Sequence, residues 1–327
     1  MDGSLQFLLV DPLPCLLSAD DKALRYFVHR DLLTEPFGPI ESLWELPTAS
    51  EIVRKQQADG SWRYPGKGQD SDSFTNYSLL ETFKNLRVLV EMYGFNNTHP
   101  ALQAAASYIY SCQTDGGDIR GILGNQYMPY YHGAIMELLI KAGYQDDVHI
   151  KEGMEWLLSV QQSDGGWLIP AQAIPAREKT EKMWRGEPIT VERSQPSSHL
   201  ATGMVLRAFA AHPGYRHLEQ IRRAGELMKS RFFQPDRYND RKSPQYWLKF
   251  QYPFWWSNLL TVLDSLSMLG FPPKDKEIQT GLDWFIKNQA QDGLWPTSYD
   301  KGRKAKPARL WVGLAICRVF KKFYGCL

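Results

Sequence analysis

The stretch Gly281–Trp295, GLDWFIKNQAQDGLW, decides the fold, because the chain has already written it at Gly153–Trp167, GMEWLLSVQQSDGGW. In both, glycine is followed by Trp at +3, Gln at +8, Asp at +11, Gly at +12 and Trp at +14. The frame recurs three more times in weaker form. Ile52–Trp62 keeps Gln56, Asp59, Gly60 and Trp62; Ala104–Asp118 keeps Asp115 and Gly116, with Cys112 at the Gln place and Asp118 at the Trp place; Gly225–Asn239 keeps Gly225 and Asp236. The aspartates Asp59, Asp115, Asp164, Asp236 and Asp292 are thus 56, 49, 72 and 56 residues apart. Self-similarity at such a period marks stacked or ring-closed supersecondary units.

Outward from the turns, two classes of helix alternate. Segments 75–93, 127–142, 197–211, 254–269 and 307–323 are apolar around most of their circumference, which requires burial on two sides. Gly94, Gly143, Gly214 and Gly270 stop four of them, glycine being the usual residue just past a helix end. Segments 100–111, 148–161, 218–232 and 275–289 carry one polar face instead. A first helix capped by Asp20 or Asp21 and running to Leu33, and another from Thr48 to Gln57, bring the total to about eleven, with no period-two strand. Residues 1–19, broken by Pro12 and Pro14, read as irregular, and 20–327 as a single domain. Short connections make successive helices antiparallel neighbours. The expected fold is therefore all-α: an α/α toroid, apolar helices inside, built from five repeats of about 50–70 residues. Rim insertions are expected near 170–196 and 238–252, as lids or binding loops or as solvated excursions.

Composition excludes some functions. A net charge of +2 over 327 residues gives no field for nucleic acid. No apolar run approaches the roughly 20 residues of a membrane span. The opening MDGSLQFLLVDPLPCLL lacks the basic region of a signal peptide. Cys15, Cys112, Cys317 and Cys326 are scattered, without a CxxC pair. The expectation is a cytoplasmic protein without transmembrane segment, metal or cofactor, with peripheral membrane contact left open.

The helix-ending Gln-x-x-Asp-Gly-x-Trp, clearest at Gln161–Trp167 and Gln289–Trp295, resembles the QW repeat of terpenoid cyclases and protein prenyltransferase β subunits. The likeness runs over about residues 20–323. It implies an α/α toroid whose Gln and Trp tie outer helices together, and a small hydrophobic ligand of isoprenoid type, such as a prenyl diphosphate, in a central cavity. Cyclases of the squalene-hopene type carry a DxDD motif before an inner helix, its middle Asp protonating an alkene. Asp70-Ser71-Asp72-Ser73 stands in that place, so the resemblance implies Asp72 as general acid with Asp70 as partner, although Ser73 replaces the last Asp. Such an acid needs a carboxyl kept protonated among groups that stabilise its conjugate base. The plainer reading is that Asp72 or Ser73 caps the helix. The D-x-C zinc ligands of the prenyltransferases are missing, so zinc-dependent thiol prenylation is not expected.

Tyr77, Tyr127, Tyr131, Phe254, Trp255, Trp256 and Trp311 crowd the starts of the inner helices. They would line a cavity with π-faces or simply fill a core. His132 and His199 would face that cavity or bond within packing layers. Glu137 and Asp264 lie in apolar helices and should pair with neighbours such as Arg207 and Arg87. Lys304, Lys306 and Arg309, before the last inner helix, would grip a diphosphate or lie solvated. Three functions remain open: a cyclase-like enzyme, a non-catalytic toroid binding a lipid or a peptide, and a lyase or hydrolase acting on a polymer.

Overall fold

The computed structural model describes residues 5–66, 73–238, 241–297 and 305–325. Among them, twelve helices form two concentric rings, an α/α toroid, and a short thirteenth, α8 (Glu181–Arg185), lies in the 170–196 insertion. The inner ring is α2 (Lys22–Val28), α4 (Tyr77–Tyr93), α6 (Pro129–Leu139), α9 (His199–Ala211), α11 (Leu259–Met268) and α13 (Ala305–Tyr324). Each packs on the next in that order, and α13 returns to α2, which closes the ring. The outer ring is α1 (Leu13–Leu17), α3 (Pro47–Arg54), α5 (Pro100–Ser111), α7 (Val148–Ser159), α10 (Glu219–Ser230) and α12 (Lys276–Lys287). Every inner helix is entered from an outer one, so all six inner helices run the same way. Their N-terminal ends share the rim that carries the signature turns.

Five such turns join five pairs; the sixth pair, α1–α2, is joined without one. Helix α1 lies inside the segment expected to be irregular. Its 5 residues are too few to show a period, and its prolines sit at the helix start, where a missing N–H costs little. A four-residue strand, Ile122–Asn125, is a second small departure. Of the expected glycine stops, Gly94, Gly143 and Gly270 take left-handed backbone, while Gly214 does not: α9 ends at an extended His212.

The turns work as clamps. Four of the five carry a glutamine amide that donates to the glycine carbonyl four residues on and to a carbonyl on the next outer segment. Gln56 Nε2 reaches Gly60 O at 2.9 Å and Ala101 O at 2.7 Å. Gln161 Nε2 reaches Gly165 O at 2.7 Å and Gln220 O at 3.3 Å. Gln289 Nε2 reaches Gly293 O at 2.8 Å and, beyond the last outer helix, Val10 O at 2.7 Å. The second copy is one residue out of the register read from sequence. Gln113, not Cys112, bonds Gly117 O at 2.7 Å and His149 O at 2.9 Å, and Ile119 takes the tryptophan place. Asp115-Gly116 imitates the Asp-Gly pair, but the residue with φ 93 is Gly117, and a Cβ there would lie 2.6 Å from Glu152 O. The tryptophans hold their own helices: the indoles of Trp62, Trp167 and Trp295 each donate at 2.7 Å to a carbonyl ten residues back. The fourth turn, after α10, lacks the glutamine; Lys229 of α10 pairs with Asp275 at the head of α12 instead.

Candidate functional site

The segment after α10 does more than lengthen the rim. Residues 249–258 dip into the ring from the turn-bearing side and come back. The Tyr252 hydroxyl donates to Glu91 Oε2 on α4 (2.8 Å) and accepts from Arg318 Nη1 on α13 (2.9 Å). Arg87 Nη1 on α4 donates to the carbonyls of Pro253 and Phe254 (3.3 Å each), and Arg207 Nη1 on α9 to that of Trp255 (2.9 Å). The ring of Trp255 meets Phe83 at 5.5 Å, and Trp256 meets Tyr130 of α6 at 6.2 Å. Contacts with four inner helices on different sides put this loop on the axis. Asn258 ends it by capping α11, its side chain and that of Thr261 bonding each other's backbone N–H.

Beneath the loop lies a chain of charges. Arg30 and Arg318 both hold Asp31, at 2.5 and 2.6 Å. Lys141 bridges Glu91 (2.6 Å) and Glu137 (2.7 Å), and Glu137 is gripped by Arg207 at 2.5 Å. This is the expected pairing of Glu137 with Arg207. Asp264 pairs instead with Lys322 at 2.6 Å, and Arg87 with backbone carbonyls. Burial resists ionisation of Glu91, yet Lys141 and the Tyr252 hydroxyl bring its pKa down to about 2. Burial would deprotonate Lys141, but Glu137 and Glu91 reverse this and hold it firmly protonated. The chain opens onto a pocket of about 860 Å³ at the C-terminal ends of the inner helices, walled by Phe27, Val90, Phe95, Phe254 and Met268.

The residues named from sequence are distributed between these regions. Asp70, Asp72 and Lys304 lie outside the described residues. The cap of α4 is Asn76, whose Oδ1 accepts from Leu79 N at 2.9 Å, and not Ser73, which accepts from Thr75 N in the approach. Tyr77 starts α4, stacked on Tyr64, in a recess of about 410 Å³ that includes Arg63, Ser73 and Thr75. Tyr131, Phe254, Trp255 and Trp256 do gather on the axis. Trp311 lies flat on Tyr252 at 5.5 Å, its indole N–H on Asp21 (3.0 Å).

Four expectations need correction. Tyr127 leans outward, onto Trp156 of the outer helix α7 and under Arg120. His132 does not face the axis. Its Nδ1 accepts from Ile119 N at 3.0 Å and its Nε2 lies 3.0 Å from Gly153 O, so it is a neutral strut between turn and α7, with burial pushing its pKa down to about 4. Thr82 and Thr202 do the same for Trp62 N and Trp167 N, which identifies the position as a repeat feature. His199, also buried and driven down to about 3 by burial and then Arg231, bonds Tyr246 at 2.5 Å within the loop's base. Arg309 is held by Asp292 (2.9 Å) and Trp295 O (3.3 Å) rather than standing ready for a diphosphate; Lys306 is exposed.

Sequence reading missed Glu91, Lys141 and Arg318. The available signal was a charge within two turns of the end of an otherwise apolar helix. It also left open the 170–196 insertion, which is pinned by the fully buried Gln126. That amide donates to Met183 O (2.7 Å) and Glu187 O (3.2 Å) and accepts from Ile189 N (2.9 Å), while Trp184 stacks on Phe74 at 5.9 Å.

No protein-family model and no curated protein matches the chain. Among solved structures it is similar to a protein from Actinoplanes (15% identity, 87% of this chain and 99% of that one, TM-score 0.31). It is similar also to a novel alpha-amylase from Clostridium perfringens (12%, 84% and 80%, 0.41). A third is a type II terpene cyclase from Scytonema in complex with geranylgeranyl dihydroxybenzoate (13%, 88% and 97%, 0.33). Likenesses this distant carry no activity over to this chain. No described helix is long and apolar enough to cross a membrane.

Proposed function

We propose that this toroid binds a hydrophobic, isoprenoid-type ligand at the turn-bearing rim of its inner ring, and that Asp72, with Asp70 as partner, protonates it in a class II-type cyclisation. The observation that carries the reading is the cluster of half-buried Tyr130, Trp255 and Trp256 with Tyr131, on the same rim as Ser73 and Tyr77. Indole and phenol faces suit both an alkene and the cation left when it takes a proton. The Trp256 face already attracts one cation, the Arg241 guanidinium, 5.3 Å from its centroid. Capping of α4 by Asn76 supports the assignment, since the plainer role for Asp72 is filled by another residue. The 170–196 insertion, pinned by Gln126, would act as the lid that keeps water from the cation.

One observation favours a second reading, a non-catalytic toroid binding a lipid: the loop tip at Tyr252–Phe254 takes up axial space that a long substrate would need. Incubation with geranyl, farnesyl and geranylgeranyl diphosphates, with and without Asp72→Asn, separates the two. A cyclised hydrocarbon skeleton that disappears in the variant supports protonation by Asp72. Binding without any product supports the second reading, and neither binding nor product removes both.

A further inference from the structure

The pocket at the far rim is a site of a different character. The charge chain beneath it runs Arg30–Asp31–Arg318–Tyr252–Glu91–Lys141–Glu137–Arg207, so four cations meet three carboxylates. Lys322 and Asp264 at the mouth cancel each other. Arg87, behind the floor, adds a further guanidinium that reaches carbonyl oxygens and the Trp255 ring, with its Nε unpartnered among the described residues. The C-terminal dipoles of the inner helices offset part of this excess; Lys321, bonded to Leu32 O at 3.0 Å, is taken up there. Burial, and next the charge of Arg207, pull Arg87 down to about 9. Uncompensated buried charge is costly, and a bound counter-charge relieves it.

The walls are apolar: Tyr26, Phe27, Val90, Phe95, Phe254 and Met268 surround the charged floor. A volume of about 860 Å³ is that of a small-molecule site. We propose that this pocket binds a small organic anion, a carboxylate or a phosphate on an apolar body, with Arg30 and Arg318 as the anion's partners. Arg30 is half-exposed at the mouth and lies over the Phe27 ring at 4.5 Å, so it can turn toward a ligand without unmaking the core. The site is separate from the aromatic rim, from which the loop tip divides it, and does not rest on the cyclase reading.

Titration calorimetry on the full chain tests this with octanoate, octanol, octylamine and inorganic phosphate. Octanoate is expected to bind at one site, more tightly at low salt, with octanol and octylamine at least tenfold weaker. Arg30→Gln should weaken octanoate at least fivefold and leave the far-ultraviolet spectrum unchanged, whereas Trp256→Ala should leave octanoate affinity as it is. Octanol or octylamine binding as well as octanoate overturns the anion preference, and phosphate binding as well as octanoate overturns the apolar body. Loss of octanoate binding in Trp256→Ala but not in Arg30→Gln overturns the location. No saturable heat with any of the four overturns the site.

Discussion

The side chain of Gln289 holds the backbone of Val10 by both ends: its Nε2 donates to Val10 O at 2.7 Å and its Oε1 accepts from Val10 N at 3.0 Å. Elsewhere this glutamine ties one outer helix to the next; here it ties the end of the repeat to its beginning. A Cβ on Gly293 would sit 3.0 Å from Asp11 O, so the turn and the N-terminal segment also touch closely.

Gln289→Ala should therefore destabilise the fold by about 2 kcal/mol, since it removes three hydrogen bonds and leaves backbone groups unmet. The distinguishing result lies in hydrogen exchange: amides of residues 5–12 should lose protection, and those of α6 and α9 should not. Unchanged exchange at residues 5–12 would show that the latch is held by something else.

His132 makes stability depend on pH. Its folded pKa, about 4, lies below the ordinary value of 6.5, so the native state refuses a proton that the unfolded chain accepts. The contribution is full above pH 6.5 and is lost as pH falls toward 4, to the extent of about 3 kcal/mol. Urea titrations between pH 7.5 and 4.5 should show the decline. His132→Thr, which installs the residue found at the matching positions Thr82 and Thr202, should flatten it. An equally steep decline in that variant assigns the proton elsewhere, His199 being the next candidate.

Glu137, itself buried, stands between the buried Arg207 and the partly exposed Lys141. Glu137→Gln should cost about 3–5 kcal/mol, because the partners keep their charge and lose its counterpart. Replacing the pair together, Glu137→Leu with Arg207→Met, should cost less than either single change. A double variant as unstable as the sum of the two singles would mean that they act independently.

Gln126 holds the 170–196 insertion through four backbone atoms while being itself fully buried. Gln126→Ala should leave the barrel's melting temperature nearly unchanged but speed trypsin cleavage after Lys182 and Arg185 at least tenfold. Cleavage at the wild-type rate would mean that the Trp184–Phe74 stack alone suffices to hold the segment.

The ring was legible because its turns repeat. Gln, Gly and Trp recur where α3, α7 and α12 end: the Gln clamps a neighbouring carbonyl, the Gly supplies left-handed backbone and the Trp holds its own helix. The second copy was misaligned because Asp115-Gly116 satisfies the letter pattern, while only Gly117 has the left-handed backbone and the close approach that require glycine. Helix α1 escaped because five residues contain no period. The aromatic run Phe254–Trp256 reads in sequence as the start of a helix, whereas α11 begins only at Leu259. Nothing local distinguishes a helix turn from an inward loop when the partners, Glu91, Arg87, Arg207 and Arg318, come from helices far along the chain. His132 left two readings open for a related reason: its equivalence to Thr82 and Thr202 is one of position, and those residue types do not resemble it.

The latch also sets a timetable for biosynthesis. Val10 precedes its clamp by 279 residues, so at ordinary translation speeds of roughly 5–20 residues per second it waits about 15–60 s for Gln289 to be made. During that interval the strip around Phe7, Leu9 and Val10 is available to chaperones or to another nascent copy. The toroid cannot complete itself piecemeal from its N-terminus; its last outer helix must arrive before its first segment has anywhere to dock.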